Sequence, residues 1–219
     1  MEIYGTLVIL SLTYLFRSFL NIPATASLCG TQYESSYMDW MVFNSFFIDH
    51  CGSNGMSVMA LDRANCRLVG VQTVKTLAAK STDYTRYYSQ NEALPLAPFY
   101  AFLDKRDSEA ARKAPVIRNQ VHQGVNFCSL GVDPDYRGRK IANHLLTAAL
   151  STVDTSRYSF ATIGSFNAFT QKAAESNGFK LVHSIDTKDF LWKGRPLYSS
   201  VKGSHGKIGY LMKYLRYVK

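Results

Sequence analysis

From residue 57 onward, short apolar runs alternate with stretches whose apolar residues recur every three or four positions, the mark of strands interleaved with helices. Ser57 to Leu61 and Arg67 to Thr76, separated by Asp62-Arg63-Ala64-Asn65, predict a β-hairpin. Phe99, Phe102, Leu103 and Ala110 have helical spacing, and Pro115 is expected to stop the helix that follows from them. Val125 to Val132 is a buried strand in which Phe127, Leu130 and Val132 supply side chains to both faces of a sheet. Asp133-Pro134-Asp135 breaks it, and Ile141, Ala142, Leu145, Leu146, Ala149 and Leu150 then mark one stripe of a helix starting near Gly138. Tyr158 to Gly164 is a strand. Ser165 to Asn177 is a helix with Phe166, Phe169 and Ala173 on one side, ended by a left-handed cap at Asn177-Gly178. Phe179 to Ile185 and His205 to Val218 are further strands, joined by a long loop over 186–204. Before all of these, Tyr33 to His50 predicts a helix with a broad aromatic face; between the hairpin and Phe99, residues 80–98 form a polar, tyrosine-rich surface excursion. The alternation makes this an α/β chain.

The N-terminal end follows a different pattern. Residues 3–16 are an uncharged apolar run closed by Arg17. As a signal peptide the run has a suitable apolar core and an Ala24-x-Ala26 site, but its leading segment carries Glu2 and no basic residue. As a membrane anchor it is short, because about twenty apolar residues are needed to span a bilayer. As the first element of the domain it needs no special machinery. The expected organisation is a hydrophobic segment over 1–30 and one domain over 31–219, cytoplasmic, with membrane association through residues 3–22 left open.

Composition narrows this picture only modestly. At 219 residues and 47% hydrophobic content, the chain is long enough to bury a substantial core. The net charge is +9, unevenly spread: residues 1–60 hold Arg17 against Glu2, Glu34, Asp39 and Asp49, a net of −3 that leaves +12 for the rest. A basic body suits a polyanionic small molecule, nucleic acid or an anionic membrane, and charge alone does not choose among them. The basic residues are scattered and no helix-turn-helix, zinc-finger or RNA-binding pattern is present, which argues against nucleic acid. Cys29, Cys51, Cys66 and Cys128 have neither paired spacing nor a histidine at metal-ligand distance in sequence, so no metal site and no disulfide framework is expected.

The stretch with chemistry is the break between strand and helix. A turn there directs unbonded backbone N–H groups and the positive end of a helix dipole into one small volume, and Arg137, Arg139 and Lys140 add full charges. Such a turn suits a pyrophosphate, but it is equally an ordinary connection carrying solvated basic residues. Val132-x-Pro134-x-Tyr136-Arg137-Gly138-Arg139-Lys140-Ile141-Ala142 resembles the acetyl-CoA signature of the GNAT superfamily of N-acetyltransferases, with Lys140 where that family prefers glycine. The second half is also similar to the arthropod and nematode arylalkylamine N-acetyltransferases of that superfamily, through Thr170, Gly178-Phe179, Gly194-Arg195-Pro196, His205 and Met212-Lys213-Tyr214-Leu215.

The resemblance implies the GNAT fold, a mixed, mostly antiparallel sheet flanked by helices and splayed at the acyl-CoA site. It implies acetyl transfer from acetyl-CoA to a small primary amine, an arylalkylamine in this branch. Leu130, Gly131 and Val132 would meet the thioester end of the donor, and Arg137, Gly138, Arg139, Lys140, Ile141 and Ala142 its diphosphate. The branch places a glutamate base after its first helix; here that place falls on His50, with Asp49 beside it. Thr170 would relay a proton, because the tyrosine that many relatives use as acid is replaced by Ala174. His205 and Tyr84 would line the acceptor pocket. The alternative implied by Lys140, Ala174 and the missing Glu-Pro-Leu turn is a protein of the same fold that binds acyl-CoA with weakened catalysis.

Overall fold

The computed structural model describes residues 54–77, 97–196 and 206–216, without the Phe99 side chain. The N-terminal run, the aromatic helix and the tyrosine-rich excursion lie outside the described residues. Strands β1 (Val58–Leu61), β2 (Leu68–Thr76), β3 (Gly124–Val132), β4 (Phe160–Ser165), β5 (Lys180–Asp186) and β8 (Lys207–Tyr214) form one sheet in the order β1-β2-β3-β4-β8-β5. The β3–β4 pair is parallel and every other pair antiparallel. That is the arrangement expected from the family resemblance. The long connection expected over 186–204 is more ordered than its composition suggested: β6 (Leu191–Trp192) and β7 (Arg195–Pro196) make a small hairpin. Its two turn residues, Lys193 and Gly194, both adopt positive φ, the geometry that matches the twist of flanking strands.

Helices cover both faces. On one, α3 (Ile141–Thr152) and α4 (Ala168–Ser176) bury Leu146, Ala149 and Ala174 against Val74, Val125, Phe127, Ala161, Ile163 and Leu211. Full burial of a leucine such as Leu146 contributes about 1.5–3 kcal/mol. On the other, α1 (Ala97–Lys113) and the short α2 (Val116–Asn119) bury Phe102, Ala110 and Ile117 against Phe160, Tyr210, Met212, Ile185 and Ile208. The alternation of β8 therefore sorts its side chains as its sequence predicts: Ile208, Tyr210 and Met212 face α1, and Leu211 faces α4.

Helix α4 differs from expectation on one point. Phe169, placed by spacing on one side with Phe166 and Ala173, is 73% exposed while those two are partly buried, because the helix begins only at Ala168 and turns Ala174 inward. Its C-terminus closes with Gly178 N–H donating to the Glu175 carbonyl and Phe179 N–H to the Ala174 carbonyl, with Gly178 at φ +83°. Phe179 then meets Phe127 edge-on, with ring centroids 5.6 Å apart. Asn177 joins the two helices: its amide donates to Asn143 Oδ1 of α3, and its Oδ1 accepts from Thr147. Lys213 of β8 donates to the Asn177 carbonyl at 2.7 Å, tying this corner to the sheet.

Candidate functional site

Strand β3 belongs to two neighbours at its start and to one at its end. With β4 it pairs from Gly124↔Phe160 to Phe127↔Ile163 and no further, while β4 itself runs on beside β8 through Gly164↔Tyr210 and Ser165↔Gly209. With β2 it pairs along its whole length, but the register shifts between Thr73↔Ser129 and Val74↔Phe127, which leaves Cys128 as an extra residue. Such a bulge bends its strand. Thr73 Oγ1 takes the Ser129 N–H at 3.2 Å and holds the bend. The bulge thus sits one residue past the last β3–β4 pair. Beyond it, Cys128–Val132 follow β2 away from β4, opening a gap whose β3 edge carries Leu130, Gly131 and Val132.

At the end of β3 the chain turns twice. Asp133 N–H is bonded to the Val69 carbonyl, and the Asp133 carboxylate accepts the Asp135 N–H and an ion pair from Arg67 at 2.8 Å. Tyr136 and Arg137 N–H groups return to the Asp133 and Pro134 carbonyls. After that the bonding stops. Among the described residues, the N–H groups of Gly138, Arg139, Lys140, Ile141, Ala142 and Asn143 have no acceptor; the first bond of α3 is His144 N–H to the Lys140 carbonyl. Four such groups, Lys140 to Asn143, are inherent in any helix start. The other two, Gly138 and Arg139, come from the preceding loop, where Gly138 has φ +77°; Lys140, at the N-cap of α3, has φ +60° with no side-chain cap.

A left-handed lysine is unusual. The conformation costs a residue with a Cβ about 1–2 kcal/mol relative to the right-handed region, and glycine avoids that cost. The preference for glycine at this place is therefore a backbone requirement first. The Lys140 side chain does not plug the bend: it is exposed, as are Arg137, Gly138 and Arg139.

One aromatic ring holds the bend in place. Arg139 lies over Tyr136 at 4.8 Å from the ring centre, Arg67 at 5.8 Å, and the Tyr136 hydroxyl donates to Asp62 at 2.6 Å. That hydrogen bond raises the Tyr136 pKa and lowers that of Asp62, which the Ala64 N–H lowers further. The nearby Asp133 carboxylate raises the Arg67 pKa. Arg137 makes no side-chain contact among the described residues. The result is a clamped loop with two cations, Arg137 and Lys140, and six N–H groups uncommitted among the described residues.

The remaining expected residues divide into two groups. Thr170 is in the first turn of α4, half-buried, with its N–H given to the Asn167 side chain at 2.8 Å. Ala174 is fully buried among Ile163, Phe179 and Leu211, so that position carries no acid. His50, Asp49, Tyr84 and His205 lie outside the described residues. Among the described residues no group of three His, Cys, Asp or Glu side chains could hold a metal, and no helix is long and apolar enough to cross a membrane.

Sequence reasoning missed Arg106. It is 6% exposed, its Nε donates to Asp107 at 2.7 Å, and its guanidinium lies 5.4 Å from the Phe166 ring and 5.6 Å from the Tyr210 ring. The signal was present: Arg106 falls four residues after Phe102 and four before Ala110, on the apolar stripe of α1. Tyr210, equally buried, has its pKa pushed up by burial and by Asp107.

No protein-family model matches the sequence, and no curated protein matches it in sequence. Solved structures do match the fold. Arylalkylamine N-acetyltransferase 2 from Aedes aegypti superposes with a TM-score of 0.73 at 16% identity, over 90% of this chain and 89% of that one. The polyamine N-acetyltransferase of Drosophila melanogaster, an enzyme that forms N-acetylagmatine, superposes at 0.69 and 16% identity over 94% of both chains. A GNAT superfamily phosphinothricin acetyltransferase from Sinorhizobium meliloti, solved with AcCoA, gives 0.54 at 12% identity over 94% and 83%. At such identities the likeness establishes the fold: a six-stranded, mostly antiparallel sheet flanked by helices, as in the GNAT N-acetyltransferases.

Proposed function

We propose that the protein is an N-acyltransferase that moves an acetyl group from acetyl-CoA to a small primary amine with an arylalkyl skeleton. The observation that carries this reading is the open bend after β3: six successive N–H groups without an acceptor among the described residues, at the positive end of α3, beside the exposed guanidinium of Arg137. These donors converge on one side of the bend, and a diphosphate would accept from several together. The gap between β3 and β4 leads from that bend toward the centre of the sheet, which gives the pantetheine arm a path along Leu130, Gly131 and Val132. Gly138, Arg139, Lys140, Ile141 and Ala142 would serve through their amides, and Arg137 through its charge. The solved structures that share the fold include enzymes named for arylalkylamine and polyamine acetylation.

In the reaction the amine loses a proton, its nitrogen bonds to the thioester carbonyl carbon, the carbon–sulfur bond breaks, and the CoA thiolate takes up a proton. His50 is the proposed base, with Asp49 beside it, since an imidazole titrates near neutrality. Thr170 is the proposed relay to the thiolate, and His205 and Tyr84 the proposed walls of the acceptor pocket. Membrane association through residues 3–22 stays a separate proposal. Thiol release from acetyl-CoA, followed with a dye in the presence of tyramine, dopamine, serotonin or a polyamine, is expected to exceed the background rate. His50→Ala is expected to remove the alkaline rise of that rate; an unaltered profile would move the base to Asp49 or bulk water.

A second reading, a protein of this fold that binds acyl-CoA with weakened catalysis, draws on Ala174, whose burial leaves no hydroxyl where relatives keep an acid. Flat thiol traces beside measurable CoA binding would select it.

A further inference from the structure

The open bend and Arg106 lie on opposite faces of the sheet. The bend leads into α3, which packs on the face of Phe127 and Ile163, while Arg106 projects from α1 onto the face of Tyr210. Arg106 nevertheless reaches the same gap. Its Nη1 lies 2.6 Å from where a Cβ on Gly164 would stand, and Gly164 is the first β4 residue past the last β3–β4 pair. The guanidinium therefore stands behind the β4 backbone at the place where β3 and β4 part.

The guanidinium is half satisfied. Asp107 takes Nε, the Phe166 and Tyr210 rings lie against it, and Nη1 is buried with no hydrogen-bond acceptor among the described residues. An N–H of a charged group in that state is expensive to leave unbonded, and its natural partner is an anion. The opposite flank of α1 turns elsewhere, with Glu109 Oε2 at 2.6 Å from His183 Nε2, out of line for a hydrogen bond, and Lys113 Nζ at 2.9 Å from His183 Nδ1.

We propose that Arg106 is a specificity-determining residue that receives a carboxylate of the acceptor, so that the preferred substrate is an arylalkyl amine carrying a carboxylate, an aromatic amino acid in chemical class. This rests on the acyl-transfer reading and adds the acceptor's charge to it. A plain arylalkylamine would leave Nη1 unbonded and bring its ammonium toward a like charge. Sites built to bond a substrate group discriminate strongly against the analogue without it.

The test pairs acceptors that differ only in the carboxylate, tyrosine against tyramine and phenylalanine against phenethylamine, with acetyl-CoA and thiol release as the readout. For the native protein, kcat/KM is expected to be at least about tenfold higher for the carboxylated member of each pair. Arg106→Gln should bring the ratio near one, and so should Gly164→Ala, which crowds Nη1 without altering its charge. Melting temperature and CoA affinity identify a variant that fails to fold, and in that event the native ratio alone decides. Amines turned over as well as amino acids by the native protein, or a ratio unchanged in both folded variants, overturn the inference and leave acyl transfer standing. No thiol release from any acceptor, with CoA bound, overturns both.

Discussion

Two helices follow the two strands that part from one another, and their N-termini are finished in opposite ways. At α4, Asn167 sits in extended conformation and its side chain accepts the Thr170 N–H at 2.8 Å, the usual way for a protein to satisfy its own helix start. At α3, Lys140 holds a left-handed conformation, offers no side-chain cap, and leaves the amides on either side of it unbonded. Both starts stand beside the same gap. One is closed by the chain itself, and the other is left with donors aimed outward and a strained residue holding them there. Strain kept beside a cluster of outward-facing donors fits a place where a ligand supplies their partners.

The contrast predicts opposite phenotypes for the two starts. The largest effect is expected at the open one: Arg137→Glu replaces an exposed cation by an anion and should weaken CoA binding by roughly a hundredfold, with the melting temperature unchanged. Calorimetric titration with CoA checks this; wild-type affinity would remove the bend from the site. At the closed start, Asn167→Ala should cost about 1 kcal/mol of folding stability in denaturant titration while CoA affinity is retained. Lys140→Gly should act in the other direction, stabilising the protein by about 0.5–1 kcal/mol by relieving the left-handed lysine, with CoA affinity kept within about threefold if the bend works through its amides.

The smallest effect concerns the Tyr136 clamp and its pH range. Asp62 has a lowered pKa, so its contribution is present above the ordinary carboxylate value of 3.8 and is lost as pH falls through the lowered one. Tyr136 has a raised pKa, so its contribution is present below the ordinary value of 10.0 and is lost as pH rises through the raised one. Between these limits the clamp should be insensitive to pH. Thermal melts of Asp62→Asn should accordingly show a shallower acid limb than those of the native protein, with both groups on the surface and the difference small.

Much of the fold was legible from local pattern. The strand of residues 125–132, the stripe of Leu145, Leu146 and Ala149, the alternation of Ile208, Tyr210 and Met212 and the Asn177-Gly178 stop all came from side-chain periodicity or backbone preference, which a neighbour-by-neighbour reading captures. The misassignments arose where long-range packing decides. Phe169 has helical spacing but faces outward, because the start of α4 is set by the Asn167 cap rather than by the apolar residues before it. The hairpin of β6 and β7 is visible in Lys193-Gly194 only once strands exist on either side of it.

For the site the division is sharper. The sequence by itself determined the order of strand, turn and helix, and the concentration of Arg137, Arg139 and Lys140 within it, since these depend on residues adjacent in the chain. Tertiary structure alone decided that the amides there stay unbonded, that β3 leaves β4 at the Cys128 bulge, and that Arg67 and Asp62 hold Tyr136 from distant positions in the chain. It also decided the fate of Arg106, a charge on an apolar stripe whose neighbours, Gly164, Phe166 and Tyr210, come from other strands and loops. Hydrogen bonds and burial depend on which segments meet in space, and a one-dimensional pattern carries that information only for segments close in sequence.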